Sequence, residues 1–247
     1  MPQVRIGKSR IGESPRLVAI VTGPDKPAQF SAAASCGADL VELRLDYLSH
    51  WPEEKVVRAV QAARRACPLG LIATARTSRE GGARRDGFLA DDRRRAALFS
   101  ALLPHVDAVD IELCSPILGD VVAAAHKAGR TAIVSYHHFQ STPSLGRLRA
   151  LAPLCKAKGG DVVKIVTTAH LPVEMLRLLS LLQERPSHPL AAFAMGRHAL
   201  LSRLMASFFQ SCLLYAALPG KTTGMPPAPG VPDIVTLRDA LKKFGVR

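Results

Sequence analysis

Lys164 stands alone inside an apolar, β-branched run, Val162-Val163-Lys164-Ile165-Val166, preceded by Gly159-Gly160-Asp161 and followed by Thr167-Thr168. Such a run reads as a buried strand of a parallel sheet. An ammonium is costly there unless it is paired or neutral. Burial favours the uncharged amine, and an uncharged amine in a pocket is a nucleophile towards carbonyls. The plainer alternative is a lysine that snorkels to solvent or pairs with a carboxylate.

Other reactive side chains recur at the ends of similar runs. Glu42, Arg44 and Asp46 alternate along one face of Val41–Asp46, and Asp110 and Glu112 share a face of their run. Arg76 follows Thr74-Ala75 and leads into Glu80-Gly81-Gly82; Ser135-Tyr136-His137-His138 ends another run; Met195 precedes Ser202-Arg203. Arginines, carboxylates, a histidine and a buried lysine collected in this way describe a pocket for a small anionic carbonyl compound. The lysine would form a Schiff base and a histidine would move protons. Alternation sends only one of His137 and His138 inward, and pattern alone does not choose between them.

The elements that must position these groups alternate along the chain. Apolar runs cover Leu17–Thr22, Leu40–Leu45, Leu69–Thr74, Ala108–Leu113, Thr131–Tyr136, Val162–Thr167, Leu190–Met195 and Leu213–Leu218. Helical patterns cover Pro27–Cys36, Glu53–Ala66, Asp91–Leu103, Pro116–Ala128, Leu145–Lys158, Pro172–Gln183, His198–Phe209 and Thr236–Phe244. Eight βα units in 247 residues predict a single-domain α/β protein, a (β/α)8 TIM barrel over residues 17–247, with residues 1–16 as an extension or short hairpin. An open doubly wound sheet would want a Gly-rich phosphate fingerprint after its first strand, and Val21-Thr22-Gly23-Pro24 is not one. The Pro- and Gly-rich stretch Pro219–Pro232 reads as a surface loop.

Composition narrows the partners. Hydrophobic residues make up 48% and charged ones 21%, an ordinary globular balance, and no apolar stretch is long enough to span a membrane. Five scattered cysteines suggest neither a disulfide framework nor a zinc site, so no metal is expected and the chain reads as cytoplasmic. Net charge is +13, much of it in Arg76, Arg79, Arg84, Arg85, Arg93, Arg94 and Arg95. Without interleaved aromatics or a binding motif this argues against nucleic acid. It reads as a solvated basic face or a field attracting an anionic metabolite.

Together these motifs resemble type I 3-dehydroquinate dehydratase, the Schiff-base class of that shikimate-pathway enzyme. The likeness runs from about Leu17 to the C-terminus and rests on Glu42-Leu-Arg44-Leu-Asp46, Thr74-Ala-Arg76 with Glu80-Gly81-Gly82, Asp110-Ile-Glu112-Leu113, Ser135-Tyr-His137 with Phe139 and Thr142-Pro143, Lys164, and Met195 with Ser202-Arg203. The resemblance implies a hydro-lyase, without cofactor, in which Lys164 forms the imine, His137 is the acid and base, and Glu80 orients it. Arg203 would bind the substrate carboxylate, while Glu42, Arg44, Arg76, Met195, Tyr215 and Ala228 would line the site for 3-dehydroquinate. It also implies a homodimer.

The chain departs from the family pattern at three places. His138 stands where the family usually has Asp. The late loop, usually Ser-Ala-Pro-Gly-Gln, reads Pro227-Ala228-Pro229-Gly230-Val231, losing side chains that touch substrate. Each lost contact is worth about 1–3 kcal/mol, or roughly ten- to hundredfold. Lys221, Thr222 and Thr223 are candidates to compensate. Ala199 occupies a position where glycine is usual. The altered loop keeps open a related lyase or aldolase on another anionic ketone, and a weakly active binding homologue.

Overall fold

The computed structural model describes residues 4–23, 26–83, 86–184, 187–220 and 228–246. Lys221, Thr222, Thr223 and Pro227 lie outside the described residues, as do Arg84 and Arg85. A short antiparallel hairpin, β1 (Val4–Ile6) and β2 (Ser9–Ile11), comes first. Eight parallel strands follow: β3 (Arg16–Val21), β4 (Leu40–Arg44), β5 (Gly70–Thr74), β6 (Ala108–Glu112), β7 (Thr131–His138), β8 (Val162–Thr168), β9 (Leu190–Met195) and β10 (Leu213–Ala217). They pair in chain order, β3 with β4 through β8 with β9, and β10 pairs with β3. Between β9 and β10 the Cys212 amide donates to Leu190 O at 2.9 Å, so the sheet is a nearly closed barrel. The eight-unit prediction is thereby met.

Helices α1 (Pro27–Ser35), α2 (Glu53–Ala66), α3 (Asp92–Leu102), α4 (Leu118–Lys127), α5 (Leu145–Ala157), α6 (Pro172–Gln183), α7 (Ala199–Phe208) and α8 (Ile234–Lys243) alternate with the strands. None is long and apolar enough to cross a membrane. Their sequences explain their positions. In α2, Glu53 and Glu54 open the helix and Arg64 and Arg65 close it, matching the helix dipole, while Val56, Val60 and Ala63 form one buried stripe. Asp91 caps α3 by accepting from the amides of Arg93 and Arg94. The last helix begins before its predicted start at Thr236, because Asp233 caps it and accepts from Thr236 N at 2.9 Å.

Period-two alternation divides the barrel into two shells. Leu17, Val41, Leu43, Leu71, Val109, Val134, Val163 and Ile165 face the helices and join the larger core. Val18, Leu40, Ile72, Ala108, Ile133, Val162 and Leu213 point inwards and fill the floor with Ile6 and Ile11 of the hairpin. The hairpin therefore plugs the N-terminal end. It comes so close that a Cβ on Gly70 would stand 2.8 Å from Ile6 O, which explains a glycine there. With the floor closed by hydrocarbon, the inward positions one layer higher are left to the polar residues.

Candidate active site

One pocket at the C-terminal ends of the strands encloses about 460 Å3 including its mouth. All ten residues given a catalytic or substrate-lining role in the sequence reading line it: Glu42, Arg44, Arg76, Glu80, His137, Lys164, Met195, Arg203, Tyr215 and Ala228. Ile20, Gly81, Phe139, Val166, Phe193 and Val231 complete the wall.

Lys164 projects inwards from β8 in register with Ser135 and Ala191 and is 4% exposed. Its Nζ lies 2.9 Å from Asp110 Oδ2 and 3.4 Å from Glu42 Oε1, and 3.8 Å from the centre of the Tyr215 ring. The lysine is thus both buried and paired, so the two readings of the isolated strand lysine meet. Sequence reasoning placed Asp110 among the strand-end polar residues but gave it no role. Its place on strand four was visible, but its lysine partner is 54 residues away, beyond any local pattern. Asp110 Oδ1 also accepts from Arg76 Nη2 at 2.7 Å and from Ser135 Oγ at 2.6 Å. Burial alone would raise the Asp110 carboxyl, but Arg76 and Lys164 overcome it and hold the group well below the usual range. Burial likewise works against the Arg76 cation, and Asp110 and Glu112 outweigh it.

The choice between the two histidines is made by the pleat. His137 faces the pocket, whereas His138 turns outwards and stacks near Tyr136 at 6.3 Å. His138 Nδ1 donates to Ser141 O at 2.8 Å and so ties its own turn. His137 is clamped by Glu80, whose Oε2 accepts from the His137 amide at 3.0 Å and from ring Nδ1 at 2.9 Å. A carboxylate only accepts, so the ring proton sits on Nδ1 and Nε2 keeps its lone pair. Burial pushes the imidazole well below its ordinary range, reinforced by the positive charges of Arg76 and Lys164. His137 is therefore neutral at neutral pH. Burial pushes Glu80 upwards, opposed by Arg76 and the hydrogen bond from Cys114.

The loop bearing Glu80 is tied from several sides. Arg44 forms a two-pronged pair with Asp46 at 2.9 and 2.8 Å, and Asp46 Oδ2 accepts from Ala83 N at 2.9 Å. Gly81 has φ 80°, and any Cβ there would collide with the Phe139 ring, so only glycine lets the loop and Phe139 close together.

Arg203 reaches the opposite wall from α7. Nε donates to Tyr215 O at 2.7 Å and Nη1 to Ala194 O and Ala199 O, both at 2.9 Å, with Phe193 stacked 4.3 Å away. Among the described residues it has no carboxylate partner, and burial pulls its guanidinium down to about 9. Carbonyl oxygens and the Phe193 ring thus satisfy this buried cation without neutralising its charge. Nearby, the buried Tyr215 hydroxyl has no hydrogen-bond partner among the described residues.

Two expectations need correction. Arg76 and Arg95 do not belong to a solvated basic face: Arg76 is 3% exposed and Arg95 is fully buried. Arg95 donates to Ala75 O at 2.9 Å and pairs with Glu112. That pair and the amide of Thr77, at 2.9 Å from Glu112 Oε1, hold Glu112 beside the pocket, not in its lining. Structural ion pairing, not solvation, uses this part of the charge.

A family model for type I 3-dehydroquinase matches residues 18–247. The chain is 33% identical over 214 residues to 3-dehydroquinate dehydratase of Pyrococcus abyssi, covering 85% of this chain and 90% of that protein. Its fold superposes on 3-dehydroquinate dehydratase of Enterococcus faecalis with a TM-score of 0.82 at 28% identity, covering 98% and 99% of the two chains. The enzyme of Geobacillus kaustophilus gives a TM-score of 0.87 at 24% identity, covering 98% of this chain and 97% of that one; this likeness shows the shared barrel alone. The chain belongs to the type I 3-dehydroquinase family.

Proposed function

We propose that this protein dehydrates 3-dehydroquinate to 3-dehydroshikimate through a Schiff base on Lys164, as a step of the shikimate pathway. The observation that carries the reading is the convergence on one pocket of a buried amine, a neutral clamped imidazole and a buried arginine without a carboxylate partner. The Arg203 cation attracts the substrate carboxylate, and Arg44 and Glu42 flank the ring hydroxyls. Docked in this way, the ketone meets Lys164 Nζ, which adds to the carbonyl carbon and expels water to form the imine. Asp110 and Glu42 compensate the charge carried by that nitrogen. The iminium then acts as electron sink for the adjacent C–H, whose proton passes to His137 Nε2. The same proton returns to the departing hydroxyl, and water releases the product and restores the amine. Glu80 keeps the proton of His137 on Nδ1 throughout. These roles need no metal or bound cofactor.

Val231 lines the pocket where the family pattern has a glutamine, and its amide is turned to Ala228 O at 3.3 Å. Substrate affinity lower than in relatives with that glutamine follows. We also propose a homodimer, supported by the exposed Leu171, Val173 and Leu176 at the start of α6 and Leu200 and Leu201 at the start of neighbouring α7. A cytoplasmic location is supported by five free cysteines. Mixing the purified protein with 3-dehydroquinate and following the ultraviolet absorbance of the conjugated product tests the activity. A steady rise supports the reading; a flat trace refutes it.

A further inference from the structure

We infer that the Cys114 thiol is a positioning residue for Glu80 and, through it, for His137. The inference rests on the dehydratase reading for its kinetic consequence, but its geometry stands without it. Glu80 spends Oε2 twice on His137, on the backbone amide and on Nδ1. Among the described residues, the donor to its other oxygen, Oε1, is Cys114 Sγ at 3.0 Å. The last torsion of a glutamate side chain is broad, so contacts to one oxygen leave the carboxylate plane poorly defined. A donor on the second oxygen fixes that plane and with it the direction in which Nδ1–H is held.

The thiol is suited to the task. Although Cys114 is exposed on its outer side, partial desolvation and the hydrogen bond to Glu80 push the thiol up to about 12, so it stays S–H, a donor, across the neutral range. It lies two residues past the end of β6 and opens on a separate outer cavity lined by Thr77, Ser78, Arg79, Ser115 and Pro116, away from the substrate pocket. Cys114 thus braces Glu80 from behind while His137 faces the reaction. The other groups acting on Glu80 are Arg76 at the end of β5, Glu112 on β6 and the His137 amide on β7. Arg76, the S–H and the amide favour the ionised carboxylate, whereas burial and Glu112 oppose it. Removing the S–H therefore raises the pH at which Glu80 takes a proton and releases its hold on His137.

The test compares the parent with Cys114→Ala and Cys114→Ser by ring 15N NMR of His137 and by kcat and KM for 3-dehydroquinate across pH. The expected result is a Nδ1-protonated His137 in the parent and Cys114→Ser, with mixed tautomers in Cys114→Ala. With it, kcat falls about three- to tenfold in Cys114→Ala, KM stays within about twofold, and the acid limb moves to higher pH. Cys114→Ser recovers most of the parental rate, because its hydroxyl keeps the donor. Parental NMR spectra and pH profile in Cys114→Ala would overturn the inference, as would equal damage in Ala and Ser, which marks mere packing. If the parent gives no product yet the tautomer shift appears only in Cys114→Ala, the positioning role stands and the dehydratase reading fails.

Discussion

The two sides of the pocket handle buried charge in opposite ways. From β4 to β8, each inward cation meets a carboxylate: Arg44 with Asp46, Arg76 and Lys164 with Asp110. Across the pocket, β9, β10 and β3 contribute Phe193, Met195, Tyr215 and Ile20, and Arg203 stands there against carbonyls and the Phe193 ring, with no described carboxylate. The first side is internally neutralised and can fold into place without a ligand. The second leaves a cation without a described counter-charge, which in the proposed function is the seat of the substrate carboxylate. On the proposed reading, the first side holds the chemistry in place and the second recruits substrate.

Substituting each arginine in turn breaks this contrast most sharply. Arg76→Met removes the partner of a buried carboxylate and is expected to destabilise the fold by about 3–5 kcal/mol in urea unfolding. Arg203→Met removes a charge with no carboxylate to orphan, so the loss of stability should be below about 2 kcal/mol. Its effect should fall on catalysis: kcat/KM for 3-dehydroquinate drops about 30- to 1000-fold, chiefly through KM. Equal destabilisation by the two substitutions would erase the distinction between the sides.

The pH profile sharpens it next. His137 is held neutral because burial, Arg76 and Lys164 depress its affinity for protons. A base with a lowered pKa stays active below its ordinary range and is lost only as pH falls through the lowered value. The acid limb of kcat should therefore lie below pH 6.5, the ordinary histidine value. A limb above that value would mean that the pocket does not depress the proton affinity of His137. Linked to stability, the unfolded chain takes up this proton near pH 6.5 while the folded chain does not, so stability attributable to His137 declines below that pH.

The smallest effect concerns Tyr215. Its hydroxyl is buried without a described partner, so Tyr215→Phe relieves an unmet polar group. The Tm should rise by about 2–4 °C, near 1 kcal/mol. A fall of that size would show that the hydroxyl makes a stabilising contact.

Much of the barrel was legible because it depends on short-range periodicity. Strand β9 and helices α2 and α6 fall on the residues that the apolar run, the helical patterns and the proline at the first turn of α6 indicated. Lys164 was legible for the reverse reason, as a charge that broke an apolar run. What remained hidden was pairing over distance. Asp110 gave no local sign of holding Lys164, and Arg95 looked like surface charge until its fold brought it against Glu112. The inward choice of His137 over His138 depended on where the pleat of β7 begins, which the sequence pattern left open. Cys114 carried no motif, since its partner Glu80 lies 34 residues earlier on another loop.

The central claim is that Lys164 forms the covalent intermediate, and borohydride trapping followed by peptide mapping tests it most directly. With 3-dehydroquinate present, the reduced adduct should map to the peptide containing Lys164 and should be absent from Lys164→Ala, which should also lose turnover. An adduct on another lysine, or near-parental turnover in Lys164→Ala, would contradict the account.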